Sequence, residues 1–187
     1  MVQLQNSDSR YGAIALGLHW LMALVLTALL VSGLYMTALP DVGFNTLKIR
    51  LILYHKELGM LALALVTPRL LWRLANKLPH LAEALPDWQK VVARFVHLCF
   101  YALMFALPIT GWLMSSAAAI PVSILGLFTL PDLVGRSDRL FRAFIDIHMA
   151  LAYGLIACML VHVGAALRHH FMLGDDTLKR MLPPRDR

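Results

Sequence analysis

Long uncharged apolar runs, separated by short charged stretches, organise this chain. The first covers about 11–36 and closes at Ala38-Leu39-Pro40-Asp41, with no charged side chain from Tyr11 to Pro40. The second covers about 51–72, with Lys56 and Glu57 near one end and Arg69 and Arg73 at the other. Those long basic side chains can snorkel to the headgroups. A third begins near Val92, and no acid follows Arg94 until Asp132. That is too long for one straight span of ~20 residues. Pro121 and Gly126 break it, so a helix is expected over about 92–117. Residues 120–144 then form a connection skimming the membrane surface. The fourth run covers about 147–168 and starts after Asp146. The expected fold is all-α: an integral membrane four-helix bundle, with residues 1–187 as one transmembrane domain.

Composition supports lipid as the solvent. The 187 residues are 59% hydrophobic, with mean hydropathy +0.68, beyond the roughly 45–50% of a soluble domain. The net charge of +6 is not a nucleic-acid signal, because the basic residues gather at segment ends and in connections. One side carries Arg10, Arg69, Arg73, Lys77, Lys90, Arg94, Arg168, Lys179, Arg180, Arg185 and Arg187, eleven cations. The other carries six: Lys48, Arg50, Lys56, Arg136, Arg139 and Arg142. The positive-inside bias places both termini in the cytoplasm of a multi-pass bacterial inner-membrane protein.

Several classes drop out. Cys99 and Cys158 lie in apolar stretches without a C-x-x-C pattern. They read as small packing residues, with neither a disulfide framework nor covalent haem attachment. The first apolar run exceeds the roughly 7–15 residues of a signal-peptide core, so it reads as a retained helix. No Walker motif, dinucleotide fingerprint or G-x-S-x-G supports nucleotide-dependent or serine-hydrolase chemistry.

The candidate chemistry lies in the histidines. His148 and His162 are 14 residues apart in the fourth run. At 100° per residue they return to one face, roughly 21 Å apart along the axis. His19, near the start of the first run, shares a depth with His162. His55, near the start of the second, shares one with His148. Opposed histidines at two depths suit two b-type haems, because neutral imidazole is a common axial ligand for haem iron. Tetrahedral zinc wants three or four convergent ligands and fits poorly. His97 shares the inner depth and is an alternative to His19. With His169, Arg69 and Arg73 it is otherwise a candidate quinone site beside the inner haem. His170 points elsewhere, and His80 sits in a connection. Pro108, before Gly111, implies a kink that either packs helices or makes room for a flat cofactor. Gly12, Gly17, Gly59 and Gly154 lie near the histidines and read first as helix packing.

These pieces, in order, resemble the prokaryotic cytochrome b561 family over nearly the whole chain. They are Ser-Arg-Tyr before Leu-His-Trp (18–20), Tyr-His-Lys-Glu-Leu-Gly (54–59) and Val-His-Leu-Cys-Phe-Tyr (96–101). Ala-Leu-Pro-Ile-Thr-Gly (106–111), Asp-Ile-His (146–148) and Val-His-Val-Gly-Ala-Ala-Leu-Arg-His-His-Phe (161–171) follow, then Asp-Thr-Leu-Lys-Arg-Met-Leu-Pro (176–183). The resemblance implies one haem on His19 and His162, a second on His55 and His148, and a quinone site near His97 and His169. It looks most like the superoxide oxidases of that family, which pass electrons from periplasmic superoxide to ubiquinone. Lys48, Arg50, Arg136, Arg139 and Arg142 are then candidates for steering the superoxide anion. Asp41, Glu57, Asp132, Asp138 and Asp146 leave that side about neutral, so steering would rest on local clustering. The rival reading is a haem-bearing membrane anchor for a periplasmic dehydrogenase or hydrogenase, docked on 120–144.

Overall fold

A computed structural model describes residues 3–40, 45–79, 86–124 and 126–182. Asp41, His80, Arg185 and Arg187 lie outside the described residues. The helices are α1 (Ala13–Ala38), α2 (Thr46–Ala75), α3 (Asp87–Ala117) and α4 (Asp138–Phe171). All four are long and apolar enough to cross a membrane.

Helices α2 and α4 outrun their apolar cores because polar caps, not hydropathy, set where they begin. The Asn45 side chain accepts from the Lys48 N–H at 3.0 Å, so α2 starts at Thr46 rather than near residue 51. The Ser137 hydroxyl accepts from the Leu140 N–H at 3.3 Å, so α4 starts at Asp138. Residues 138–144, expected in the connection, are therefore helical. The charges of Arg139, Arg142 and Asp146 hid this, since they break the apolar run without breaking the helix. At 34 residues, α4 is about 51 Å long and exceeds the ~30 Å hydrocarbon core.

What remains of the connection is a short hairpin. β1 (Val122–Ile124) pairs antiparallel with β2 (Phe128–Leu130), with Val122 opposite Leu130 and Ile124 opposite Phe128. Gly126 turns the chain at φ +68°, where a side chain is strained. Lys56 Nζ donates to the Pro121 carbonyl at 3.0 Å. Trp112 Nε1 donates to the Pro131 carbonyl at 3.0 Å. The Leu133 N–H donates to Ser116 Oγ at 3.1 Å. The hairpin is thus pinned to α2 and α3, across the helix ends remote from the termini.

The helices pack in chain order, α1 on α2, α2 on α3 and α3 on α4, while α4 does not pack closely on α1 or α2. Met22, Val25 and Leu26 of α1, Ala62 and Val66 of α2, Met104 of α3 and Leu155 of α4 form the buried core. Leu155 lies seven residues from both His148 and His162, so this packed layer separates the two histidine levels. Large apolar side chains such as Leu24, Val31, Tyr153 and Leu160 are exposed, as lipid-facing positions are.

At the termini end, residues 3–12 fold back on the start of α1. The Ala13 N–H donates to the Gln3 carbonyl at 2.9 Å, and the Gly12 N–H to Asn6 Oδ1 at 2.9 Å. A Cβ on Gly12 would lie 2.3 Å from the Leu4 carbonyl oxygen and 2.5 Å from that of Gln5. Both are backbone atoms that cannot swing aside. Gly12→Ala is expected to release this segment, at a cost of roughly 1–3 kcal/mol, and to speed tryptic cleavage after Arg10 severalfold. Unchanged cleavage would show that the turn does not depend on Gly12.

Candidate functional site: two histidine levels

At the hairpin end, His55 of α2 and His148 of α4 face each other with ring centroids 6.3 Å apart. Each ring is seated by a hydroxyl–glycine pair on a third helix. Ser32 Oγ lies 3.0 Å from His55 Nδ1 and donates its proton to the Leu29 carbonyl at 3.1 Å. Thr110 Oγ1 lies 3.0 Å from His148 Nδ1 and donates to the Leu107 carbonyl at 2.9 Å. A hydroxyl has one proton, so toward each ring it accepts, and Nδ1 carries the hydrogen. Both Nε2 atoms are left with a free lone pair, the tautomer a metal needs.

The glycines complete these seats. A Cβ on Gly33 would lie 3.2 Å from His55 Cε1, and one on Gly111 3.4 Å from His148 Cε1. Gly59, by contrast, has nothing within 4 Å of its Cβ position and lines the cavity between the two rings. Pro108 and Gly111 line the same cavity, with Leu26, Leu30, Met60 and Met104 as part of its apolar wall.

At the termini end, His19 of α1 and His162 of α4 stand with centroids 6.2 Å apart. His97 of α3 approaches His162 more closely, at 5.5 Å edge to face. Two imidazoles binding one metal from opposite sides, each at about 2 Å, have centroids about 6.3 Å apart. His19–His162 and His55–His148 meet that spacing, and His97–His162 falls short of it. His97 Nδ1 donates to the Ala93 carbonyl at 2.7 Å. Both wide pairs span from α4 to helices it does not closely pack against, which is where a flat group fits.

Arg69 Nη2 lies 3.0 Å from His19 Nδ1. A guanidinium only donates, so in this arrangement Nδ1 accepts. Arg73 lies over the Tyr101 ring, 5.8 Å from its centroid. His169 turns away to its own tail, where Nδ1 bonds Asp175 Oδ2. Asp175 Oδ1 accepts from the Thr177 N–H at 2.9 Å. Burial pushes the Asp175 carboxyl up, but the hydrogen bonds from Thr177 and His169 outweigh it and hold the group below the usual carboxylate range.

Of the steering candidates, Arg50, Arg136, Arg139 and Arg142 are exposed. Lys48 Nζ donates to the Leu39 carbonyl at 2.9 Å. Ser32 and Asp175 stand in none of the motifs quoted above, and Tyr101 and Thr110 stand in them without a role. Ser32 and Thr110 had a signal, a hydroxyl followed by glycine at 32–33 and again at 110–111. Of the glycines flagged from the sequence, Gly17 faces open space, Gly154 approaches Leu103 and Gly12 serves the N-terminal turn.

Comparison with known proteins agrees with this architecture. The chain is 32% identical over 179 residues to cytochrome b561 homolog 2 of Escherichia coli (strain K12), covering 95% of this chain and 93% of that protein. It is 30% identical over 133 residues to cytochrome b561 homolog 1 of the same organism, covering 70% and 74%. It is 26% identical over 174 residues to a probable superoxide oxidase CybB of Yersinia pestis, covering 93% and 96%. The family profile described as prokaryotic cytochrome b561 matches residues 10–184. Four membrane-length helices, paired histidines at two levels and a match along nearly the whole chain lead to one conclusion: this protein belongs to the prokaryotic cytochrome b561 family of haem-bearing membrane electron carriers.

Proposed function

We propose that the protein is a di-haem cytochrome b that oxidises superoxide at the periplasmic face and reduces ubiquinone near the cytoplasmic face. The observation that carries the di-haem reading is the matched spacing of two histidine pairs, 6.2 and 6.3 Å, across helices that do not pack closely. Bound haem b supplies a reversible one-electron couple at each level.

The chain's own residues hold, orient and seclude. His55 and His148 would hold the outer haem, with Ser32 and Thr110 fixing their tautomer. Two imidazoles at one level would leave no protein-side opening for dioxygen at a haem held between them, which would favour simple electron transfer. His19 and His162 are the inner ligands. Binding through His19 Nε2 would place the ring proton on Nδ1, and Arg69 would then give up its bond to that atom. His97 Nε2 is then an acceptor suited to a quinol hydroxyl, and Arg69 and Arg73 are donors suited to a quinone carbonyl. His169, turned to Asp175 rather than to the inner level, would serve proton delivery from the cytoplasm and not as a direct partner of the quinone.

Superoxide as donor is supported by the likeness to the probable superoxide oxidase and by the exposed arginines beyond the outer level. Arg139→Glu with Arg142→Glu is expected to slow haem reduction by superoxide about tenfold at low salt, and less at high salt. An unchanged rate would remove these arginines from the steering role.

The test of the whole reading is stopped-flow haem reduction by superoxide in the purified protein, with and without ubiquinone. Fast reduction followed by quinone-dependent reoxidation is expected. Intact haems that ignore superoxide would favour the second reading, an electron-transfer anchor for a periplasmic dehydrogenase or hydrogenase. One observation favours that second reading: Leu127 and Phe128 at the hairpin tip are 79% and 55% exposed, an apolar surface beside the outer level.

A further inference from the structure

Cys99 of α3 and Cys158 of α4 are free thiols, half-buried within the apolar spans. Neither serves the histidine levels. The packing of α3 on α4 brings them together. These antiparallel helices touch where Thr110 Oγ1 stands 3.0 Å from His148 Nδ1, and again where Leu103 Cδ2 stands 3.9 Å from the Cβ position of Gly154. They touch a third time where His162 meets His97 and Phe100, at centroid distances of 5.5 and 5.4 Å. The cysteines fall between the second contact and the third. Cys99 is one turn from Leu103 toward the start of α3, and Cys158 is one turn from Gly154 toward the end of α4. The register therefore sets them opposite each other, and Cys158 lies close enough to Cys99 to feel its charge.

The spacing of packed helices suits a bond here. Their axes stand about 8–10 Å apart, with Cα atoms about 2.3 Å from each axis. Residues facing across the seam then have Cα atoms about 3.5–5.5 Å apart, and a little more when offset. A disulfide spans Cα separations of about 4.4–6.8 Å. Gly154, without a side chain, lets the two backbones approach at this level.

We propose that Cys99 and Cys158 form a redox-modification site, joined into a disulfide by hydrogen peroxide. One thiol sulfur attacks a peroxide oxygen, so an S–O bond forms, the O–O bond breaks and water leaves. The second thiol sulfur attacks the resulting sulfenic sulfur, so the S–S bond forms, the S–O bond breaks and a second water leaves. The two thiols together give up two electrons and two protons, and the peroxide takes both. Peroxide is small and uncharged, which lets it enter an apolar span. Glutathione and the proteins that keep cytosolic thiols reduced do not reach such a span, so the bond persists once made. It ties α3 to α4 one turn from His162 and holds the inner level covalently. The pairing follows from helix register, whether or not haem is bound.

The test is thiol counting on the full chain in detergent. Wild type is treated with hydrogen peroxide, unfolded and labelled with a polyethylene glycol maleimide. It is expected to run on a non-reducing gel as a monomer without label, and dithiothreitol added after unfolding should restore labelling of both cysteines. Cys99→Ser and Cys158→Ser each leave one thiol without a partner. That thiol should stop at sulfenic acid and be captured by dimedone, with helix content by circular dichroism unchanged. Wild type should give no dimedone adduct. Four results overturn the proposal: wild type that keeps both labels, a label loss that dithiothreitol does not restore, a dimedone adduct equal to that of the single variants, or a covalent dimer of two chains.

Discussion

His148→Ala is expected to empty the outer level and leave the inner one filled. His148 is one of two imidazoles at that level, 6.3 Å from His55, and its Nε2 lone pair is set by the Thr110 hydroxyl, whose own proton goes to the Leu107 carbonyl. Removing it leaves iron with one protein ligand and opens the site to water. The bis-imidazole signal should fall by about half, and haem content should move from two toward one per chain. The packed layer of Leu155, Val66 and Met104 separates the levels, so His19 and His162 should keep their spectrum. Reduction by superoxide should then fail although the inner haem remains reducible by dithionite. A variant that still shows both bis-imidazole haems by electron paramagnetic resonance would refute the pairing.

His19→Ala should empty the inner level, whereas His97→Ala should leave it filled. The two histidines share a depth and both face His162, so sequence position does not separate them. Spacing does: 6.2 Å for His19 leaves room for a metal, and 5.5 Å for His97 is ring-on-ring packing. His97→Ala should preserve the haem spectrum yet slow reoxidation by ubiquinone by tenfold or more, because a hydrogen-bonding group at the quinone is lost. The reverse outcome, with inner haem lost in His97→Ala and kept in His19→Ala, would exchange their roles.

Much of this protein was legible without the fold because membrane helices obey local rules. Every backbone group in lipid must be paired within its own segment, so an apolar run of sufficient length is a helix wherever it packs. A 3.6-residue repeat places His148 and His162 on one face without knowledge of their partners. The ends were less legible. The start of α4 at Asp138 depends on the Ser137 cap, and the charges that follow it look like loop in an apolar window. The hairpin at Val122–Leu130 was lost for a related reason, since strands of three residues carry too short a pattern to stand out.

By itself, then, the sequence determined the four spans, the two histidine depths and the basic excess at the termini end. Each depends on residues near one another in the chain, where hydropathy and helical period are sufficient. Only the tertiary structure decided that His19 rather than His97 stands at a metal's spacing from His162. It alone showed that Ser32–Gly33 and Thr110–Gly111 seat the outer rings, and that Asp175 claims His169. It also set Cys99 of α3 opposite Cys158 of α4. Those outcomes depend on how far apart neighbouring helices stand and how each is rotated. Both follow from side-chain interlocking between segments distant in sequence, which no periodicity within one segment encodes.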